Sequence, residues 1–127
     1  ANTILGAVGI VQWVDDEALI NPVTAVSGSG PAYFFLMMEA MIDAGVELGL
    51  TRTAATELTL QTALGAAILA KQSNVDVAEL RRRVTSPKGT TEQAINSFEN
   101  DQIRAMFSRA MTACSNRAVE LSELLGK

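Results

Sequence analysis

Residues 31–42 read Pro-Ala-Tyr-Phe-Phe-Leu-Met-Met-Glu-Ala-Met-Ile, and this stretch decides the fold. Proline is well suited to the first turn of a helix, where its missing N–H would have no partner. The residues that follow it are apolar around nearly the whole helical circumference, with Glu39 as the one charge. A helix of this kind is buried on all sides, and Gly49 is typical of a helix end. The sequence therefore predicts a buried helix over Pro31–Leu48.

A second long helix is predicted over Thr51–Ser73. Threonines at its start are good N-caps, and leucine, isoleucine and alanine recur along one face at helical spacing. The small residues Gly65-Ala66-Ala67 would allow another helix to approach closely. The two long helices are apolar on more sides than a chain of 127 residues can cover. This surplus predicts that a second subunit or another domain covers them.

The remaining segments also read as helices joined by short polar turns. The Ser-Gly-Ser-Gly run at 27–30 is expected to break the chain before the first long helix, and Ser-Pro-Lys-Gly at 86–89 interrupts it later. Further helices are predicted at about 15–26, at 77–84, at about 90–98, and from a cap at Asn100-Asp101 onwards. No sustained alternation of apolar and polar residues indicates a strand. The sequence predicts one all-α domain over residues 1–127, a bundle of six or seven helices with two long buried ones.

Composition excludes several classes of function. The sequence has no histidine, which excludes the Ser/His/Asp triad, Cys/His dyads and histidine-based zinc sites, and no metal site is predicted. A single cysteine, Cys114, excludes an intrachain disulfide and is interpreted as core filler. A net charge of −4 argues against nucleic acid as the main partner. The apolar run at 31–38 is shorter than the ~20 residues that a bilayer requires, so a soluble, cytoplasmic protein is expected.

The chemically most suggestive segment is Val84–Glu92, where a loop rich in small polar residues runs directly into a helix that starts with two threonines. Hydroxyl groups, first-turn N–H groups and the positive end of the helix dipole together suit a bound carboxylate. Arg81-Arg82-Arg83 and Lys88 raise the local potential further. The simpler explanation is that Ser86 or Thr90 only caps the helix, and composition alone slightly favours it.

Two other polar features have ordinary explanations. The acidic cluster Asp15-Asp16-Glu17 is interpreted as a solvated helix N-terminus rather than an acid–base or metal site. The glycines at 28 and 30 would let main-chain N–H groups approach a phosphate, but their spacing matches neither the dinucleotide fingerprint nor the P-loop. Taken alone, this turn is more often a tight corner between helices.

The Ser-Gly-Ser-Gly-Pro-Ala-Tyr run at 27–33, followed at a distance by Val-Thr-Ser-Pro-Lys-Gly-Thr-Thr at 84–91, resembles pyrroline-5-carboxylate reductase, and in particular the C-terminal domain of that family. The resemblance extends from Glu17 to Leu121. It implies an enzyme that reduces 1-pyrroline-5-carboxylate to L-proline with NADPH or NADH, the final step of proline biosynthesis. It also implies an N-terminal Rossmann domain, absent from this chain, that binds most of the cofactor. The helical domain would interlock with its twin in a homodimer or a larger oligomer, and the isolated chain would be inactive.

The resemblance also implies roles for individual residues. The family binds the substrate carboxylate on a loop and helix start that correspond to Ser86, Gly89, Thr90 and Thr91. Thr91 is the catalytic candidate, because the family directs this hydroxyl at the ring nitrogen of the substrate. Glu17 matches an acidic position near both substrate and nicotinamide. Arg83 matches a position whose main chain touches the cofactor.

Two positions depart from the family pattern. Lys88 stands where glycine is usual, which is tolerable if its φ angle is ordinary, and it adds positive charge beside the carboxylate site. Asp76-Val77 stands where a His-Pro pair is frequent, which leaves the preceding turn open. The rival interpretation is a helical oligomerisation module without an active site of its own. A third and weaker one is an unrelated helical adaptor that binds a partner helix.

Overall fold

The computed structural model describes residues 19–125. Within these residues the chain consists of helices and short connections, and no strand occurs among them. The elements in chain order are α1 (Ile20–Val23), the π-helical turn π1 (Thr24–Gly28), α2 (Gly30–Glu47), α3 (Arg52–Gln72), α4 (Val77–Arg83), α5 (Thr90–Asn100) and α6 (Ile103–Leu125). The predicted all-α class is confirmed. Five regular helices and the irregular α1–π1 segment come close to the six or seven helices expected.

The described chain divides into two compact units, one formed by residues 19–34 with 102–125 and the other by residues 35–101. In the first unit, α6 contacts both α1 and π1. Ala25 of π1 is buried, and its carbonyl oxygen accepts a hydrogen bond of 2.7 Å from the hydroxyl of Tyr33. This bond ties the start of α2 to the turn that precedes it.

The expected break at residues 27–30 is largely absent. Ser27 and Gly28 continue the helical path as part of π1, where the N–H of Ser29 bonds to the carbonyl of Thr24 at 2.9 Å. The hydroxyls of Thr24 and Ser27 each donate to a carbonyl four residues earlier. Hydrogen bonds from a hydroxyl to the carbonyl one turn earlier bend a helix without ending it. The chain therefore continues through a π-helical turn, and Ser29 alone separates π1 from α2.

The second unit contains a sharp corner between α2 and α3. Gly49 has a φ of 118°. Its N–H donates to the carbonyl of Val46 at 3.0 Å, and the N–H of Leu50 donates to the carbonyl of Gly45 at 3.0 Å. These two bonds form a Schellman motif, which requires glycine at this φ. Thr51 then caps α3, because its hydroxyl accepts from the N–H of Ala54 at 3.1 Å. Both boundaries were predicted.

A close approach of the two helices follows from the corner. A Cβ placed on Gly45 of α2 would lie 3.3 Å from the Cβ of Ala55 in α3 and 3.4 Å from Cδ1 of Leu50. Glycine at this position therefore lets the first turns of α3 pack against α2. Ala55 and Thr59 are the residues of α3 that this unit buries, at 2% and 6% exposure.

The large side chains of the two long helices are not covered within the chain. Phe35 is 62% exposed, Leu36 67% and Leu58 58%, so a single subunit does not bury the long helices and has the surplus of apolar surface that the sequence predicted. One subunit supplies too few neighbouring elements to surround either helix. Among residues 19–125, none of the helices combines the length and apolar character required to cross a bilayer.

The boundaries near the C-terminus differ from expectation in one respect. Asn100 lies inside α5 and Asp101 is its C-cap, so this pair does not cap the last helix. Gln102, with a φ of 64°, separates the two helices, and its carbonyl accepts from the N–H of Met106 at 2.9 Å. The left-handed residue lets α5 end and α6 begin without a longer loop.

Replacement of Gly49 by alanine is expected to lower the free energy of unfolding by about 1–2 kcal/mol, because a Cβ disfavours positive φ. Leu48→Ala is the control, since Leu48 is 88% exposed and precedes the same turn in the same connection. Urea denaturation of both variants measures the difference. An equal loss for the two would contradict the assigned role of the positive φ.

Candidate functional site

The segment that joins α4 to α5 forms a tight turn over residues 86–89. The N–H of Gly89 bonds to the carbonyl of Ser86 at 3.0 Å, and Lys88 has a φ of 62°. Proline at the second position fixes a negative φ there, so the positive φ at the third position makes this a type II turn. Glycine is the usual residue at that third position.

Lys88 thus adopts a conformation that costs a non-glycine residue roughly 1–2 kcal/mol. The condition under which lysine would be tolerable here, an ordinary φ, is not met, because the third position of this type II turn has a positive φ. Gly89 is favoured at its position for a different reason. Its φ of −89° is open to any residue, but a Cβ there would lie 3.1 Å from the carbonyl oxygen of Ser86. A side chain at this position would push the carbonyl of Ser86 back by a few tenths of an ångström.

The first turn of α5 has no side-chain cap. The N-cap is Gly89, which has no side-chain oxygen, and neither Ser86 nor Thr90 replaces it. The explanation that these residues only cap the helix is therefore wrong. Within the described part of the chain, no hydrogen bond engages the hydroxyls of Ser86, Thr90 or Thr91. The N–H groups at the start of α5 and three hydroxyls remain open to a ligand.

Glu92 is the residue that the sequence analysis missed. It is the third residue of α5, and its Oε1 accepts a hydrogen bond of 2.9 Å from the N–H of Lys88. A glutamate three residues after an N-cap is the signal of a capping box, in which it reaches back to the N-cap N–H. Here the N-cap N–H already bonds to Ser86, so the carboxylate reaches one residue further.

The arginines of α4 differ in what they contact. Arg82 and Arg83 both pair with Glu79, with Nε–oxygen distances of 3.0 and 3.3 Å. Hydrogen bonds from Arg82 and then Arg83 lower the pKa of Glu79 below its ordinary value of 4.5. The guanidinium of Arg83 is thus held along its own helix, and its main chain lies at the end of α4. Asp76, which stands where His-Pro is frequent in the family, caps α4 by accepting from the N–H of Glu79 at 2.9 Å.

The other predicted residues do not join this loop. Glu17, with Asp15 and Asp16, lies outside the described residues. Cys114 belongs to the first unit, where its thiol donates to the hydroxyl of Ser29 at 3.2 Å. Partial burial, together with the neighbouring thiol, raises the pKa of Tyr33. Among the residues that the structure describes, no group of three or more acidic or cysteine side chains is arranged to bind a metal ion.

Residues 17–121 match the family model described as pyrroline-5-carboxylate reductase dimerisation. The chain belongs to this family. The enzyme named pyrroline-5-carboxylate reductase from Pseudomonas aeruginosa is 61% identical over 127 residues, which are 100% of this chain and 46% of that protein. The pyrroline-5-carboxylate reductase from Corynebacterium melassecola is 47% identical over 94% of this chain and 44% of that protein.

Solved structures of the family agree with the helical fold. The pyrroline-5-carboxylate reductase from Coxiella burnetii matches with a TM-score of 0.87 and 53% identity, over 91% of this chain and 43% of that one. The Plasmodium falciparum pyrroline carboxylate reductase, solved with NADP bound, matches with a TM-score of 0.83 and 34% identity, over 91% and 44%. The chain therefore spans about half the length of the family members it matches.

The ion pairs of Glu79 generate a prediction about pH. Because the pKa of Glu79 is lowered in the folded protein, its ion pairs stabilise the fold at pH values above the pKa of Glu79 in the unfolded chain. This stabilisation is lost as the pH falls through the pKa of Glu79 in the folded protein. An NMR titration of the Glu79 carboxyl should give a pKa below 4.5. Arg82→Gln should raise this pKa more than Arg83→Gln, because the Arg82 bond is the shorter. The reverse order would contradict the geometry.

Proposed function

We propose that this chain is the helical C-terminal half of a pyrroline-5-carboxylate reductase. The full-length enzyme would reduce 1-pyrroline-5-carboxylate to L-proline, with a Rossmann domain holding most of the cofactor. Membership of the dimerisation family and the partial coverage of reductases from several organisms support this proposal. The observation that carries it is the uncapped start of α5 beside the type II turn, at the position of the family motif.

The substrate carboxylate would bind where α5 begins. A helix N-terminus attracts anions because its first N–H groups lack partners and its dipole is positive there. The candidate ligands are the hydroxyls of Ser86, Thr90 and Thr91 and the N–H groups of Thr90 and Thr91. Gly89, whose own N–H bonds to Ser86, would lie against the carboxylate as an N-cap without a side chain. Lys88 and the arginines at the end of α4 add positive charge around them. Since the turn fixes these groups before the substrate arrives, little ordering remains to be done on binding.

Reduction adds a hydride to the imine carbon and a proton to the ring nitrogen. A reduced nicotinamide cofactor supplies the hydride when it is bound. This chain would hold the ring in line for that transfer and exclude water from it. Thr91, in the first turn of α5, would direct its hydroxyl at the ring nitrogen and orient it. This chain has no histidine, so it would supply no imidazole for protonation of the imine.

The cofactor site would be completed by residues outside the described range. Arg83 ends α4 and precedes the turn, so its main chain is suited to a contact at the edge of a nicotinamide site. Glu17 would lie near both substrate and cofactor. The preference for NADPH or NADH would be set mainly by the Rossmann domain.

The second candidate function, an oligomerisation module without its own active site, is favoured by the exposed faces of α2 and α3. Dimer formation itself is compatible with a substrate site on the same chain, so only the lack of an active site distinguishes this candidate from the first. We propose that a second copy of the chain interlocks with the first and covers these faces, which bear Phe35, Leu36 and Leu58. Both active sites would then depend on the dimer.

Sedimentation velocity should show at least a dimer at micromolar concentration. Leu36→Asp should weaken the association of the two subunits by several kcal/mol, because the partner subunit would bury an unpaired charge. In a monomer the same change would cost little, since Leu36 is 67% exposed. Asn116→Asp, which adds the same charge at an exposed polar position, is the control. A clean monomer for the unsubstituted protein would refute the interlocked dimer.

Thr91→Ala in the full-length reductase should lower kcat, and with it kcat/KM, by about 10- to 1,000-fold, the range for one lost positioning or charge-stabilising group. Thr91→Ser should retain most of the activity, because the hydroxyl survives. Steady-state kinetics and thermal midpoints on the same preparations make the test. Normal kcat with a lowered midpoint in Thr91→Ala would mean that Thr91 stabilises the helix and does not act on the substrate.

A further inference from the structure

The carboxylate of Glu92 holds the strained residue of the turn. Its Oε1 accepts the N–H of Lys88 at 2.9 Å, and Lys88 is the residue with a φ of 62°. The N–H of Gly89, one residue later, bonds to Ser86 at 3.0 Å. Two consecutive main-chain N–H groups are thus fixed from opposite sides, one by the start of the turn and one by the helix that follows.

The arrangement matters because lysine does not favour this conformation. With glycine at position 88 a type II turn forms without a steric penalty, whereas with lysine other conformations of the loop compete with it. A hydrogen bond to a charged acceptor is stronger than a neutral one, and it is made only when the N–H of Lys88 points toward α5. Glu92 therefore selects the loop conformation in which Gly89 bonds back to Ser86 and the N–H groups of Thr90 and Thr91, at the start of α5, are presented together.

We propose that Glu92 is a positioning residue for the carboxylate of the substrate, acting through the main chain of Lys88. The proposal rests on the function proposed above and deepens it. Glu92 does not contact the substrate in this role. Its own charge in fact opposes an anionic ligand nearby, so positioning and simple electrostatics predict opposite effects when the carboxylate is removed.

The first test is the kinetics of full-length reductase variants. Glu92→Ala should raise KM for 1-pyrroline-5-carboxylate about three- to tenfold, the value of one hydrogen bond, with kcat changed less than twofold. Glu92→Gln should restore KM, because an amide oxygen accepts the same N–H. Gln93→Ala, at the exposed next position of α5, is the matched control and should leave KM unchanged. An unchanged or lowered KM in Glu92→Ala overturns the proposal.

The second test separates positioning from general stabilisation of the helix. In a Lys88→Gly background the turn no longer needs to be held, so adding Glu92→Ala should change KM by less than twofold. If Glu92 only stabilised α5, its removal would lower the thermal midpoint equally in both backgrounds without moving KM. An equal rise of KM in both backgrounds would also overturn the proposal, because it would mean that Glu92 acts independently of the strained residue.

A third measurement does not depend on the reaction. Hydrogen exchange at single-residue resolution should give the Lys88 amide about three- to tenfold less protection in Glu92→Ala than in Glu92→Gln. Unchanged protection would overturn the proposed link. If the unsubstituted full-length protein has no reductase activity, the proposed function fails and the substrate role of Glu92 fails with it. The exchange result would still decide whether Glu92 holds the turn.

Discussion

The need to cover apolar side chains governs this structure. Burial of apolar surface contributes roughly 25 cal/mol per Å², and it is the main favourable term in folding and association. Within the described chain the buried apolar residues are the small Ala25 and Ala55, while phenylalanines and leucines of the long helices face outward. Capping residues and tight turns fix where each helix begins and ends, but they leave the apolar sides of the helices exposed. The chain belongs to the dimerisation family, and the dimer proposed above would cover the apolar faces that the single subunit leaves exposed.

The candidate site depends on the main chain more than on any side chain. Its geometry comes from a proline at position 87, a turn bond between Gly89 and Ser86, and the absence of a capping side chain at the helix start. The charged residues around it are exposed, and the ion pairs of Glu79 draw Arg82 and Arg83 along α4. A site of this kind would recognise an anion by N–H groups held in place, and such recognition would tolerate wide variation of the surrounding charges.

The helices were predictable because their signals are local. Thr51 and Asp76 are N-caps, Gly49 ends α2, and each sits where the sequence indicated a boundary. The π-turn at 24–28 was not predictable, because serine and glycine usually break a helix and their hydrogen bonds back to the previous turn become visible only in the structure. The loop motif was recognised by resemblance, whereas the positive φ of Lys88 depends on the turn type. The roles of Ser86, Thr91, Arg83 and Glu17 remain predictions.

The corner between α2 and α3 also bears on the order in which the protein folds. Its hydrogen bonds join residues at most five positions apart, from Gly45–Leu50 to the Thr51 cap. Contacts this close in sequence require little loop-closure entropy and form within microseconds in small chains. This corner between two helices can therefore form before two chains meet. Assembly of the proposed dimer would then be the docking of preformed corners, at a rate that increases with the concentration of chains.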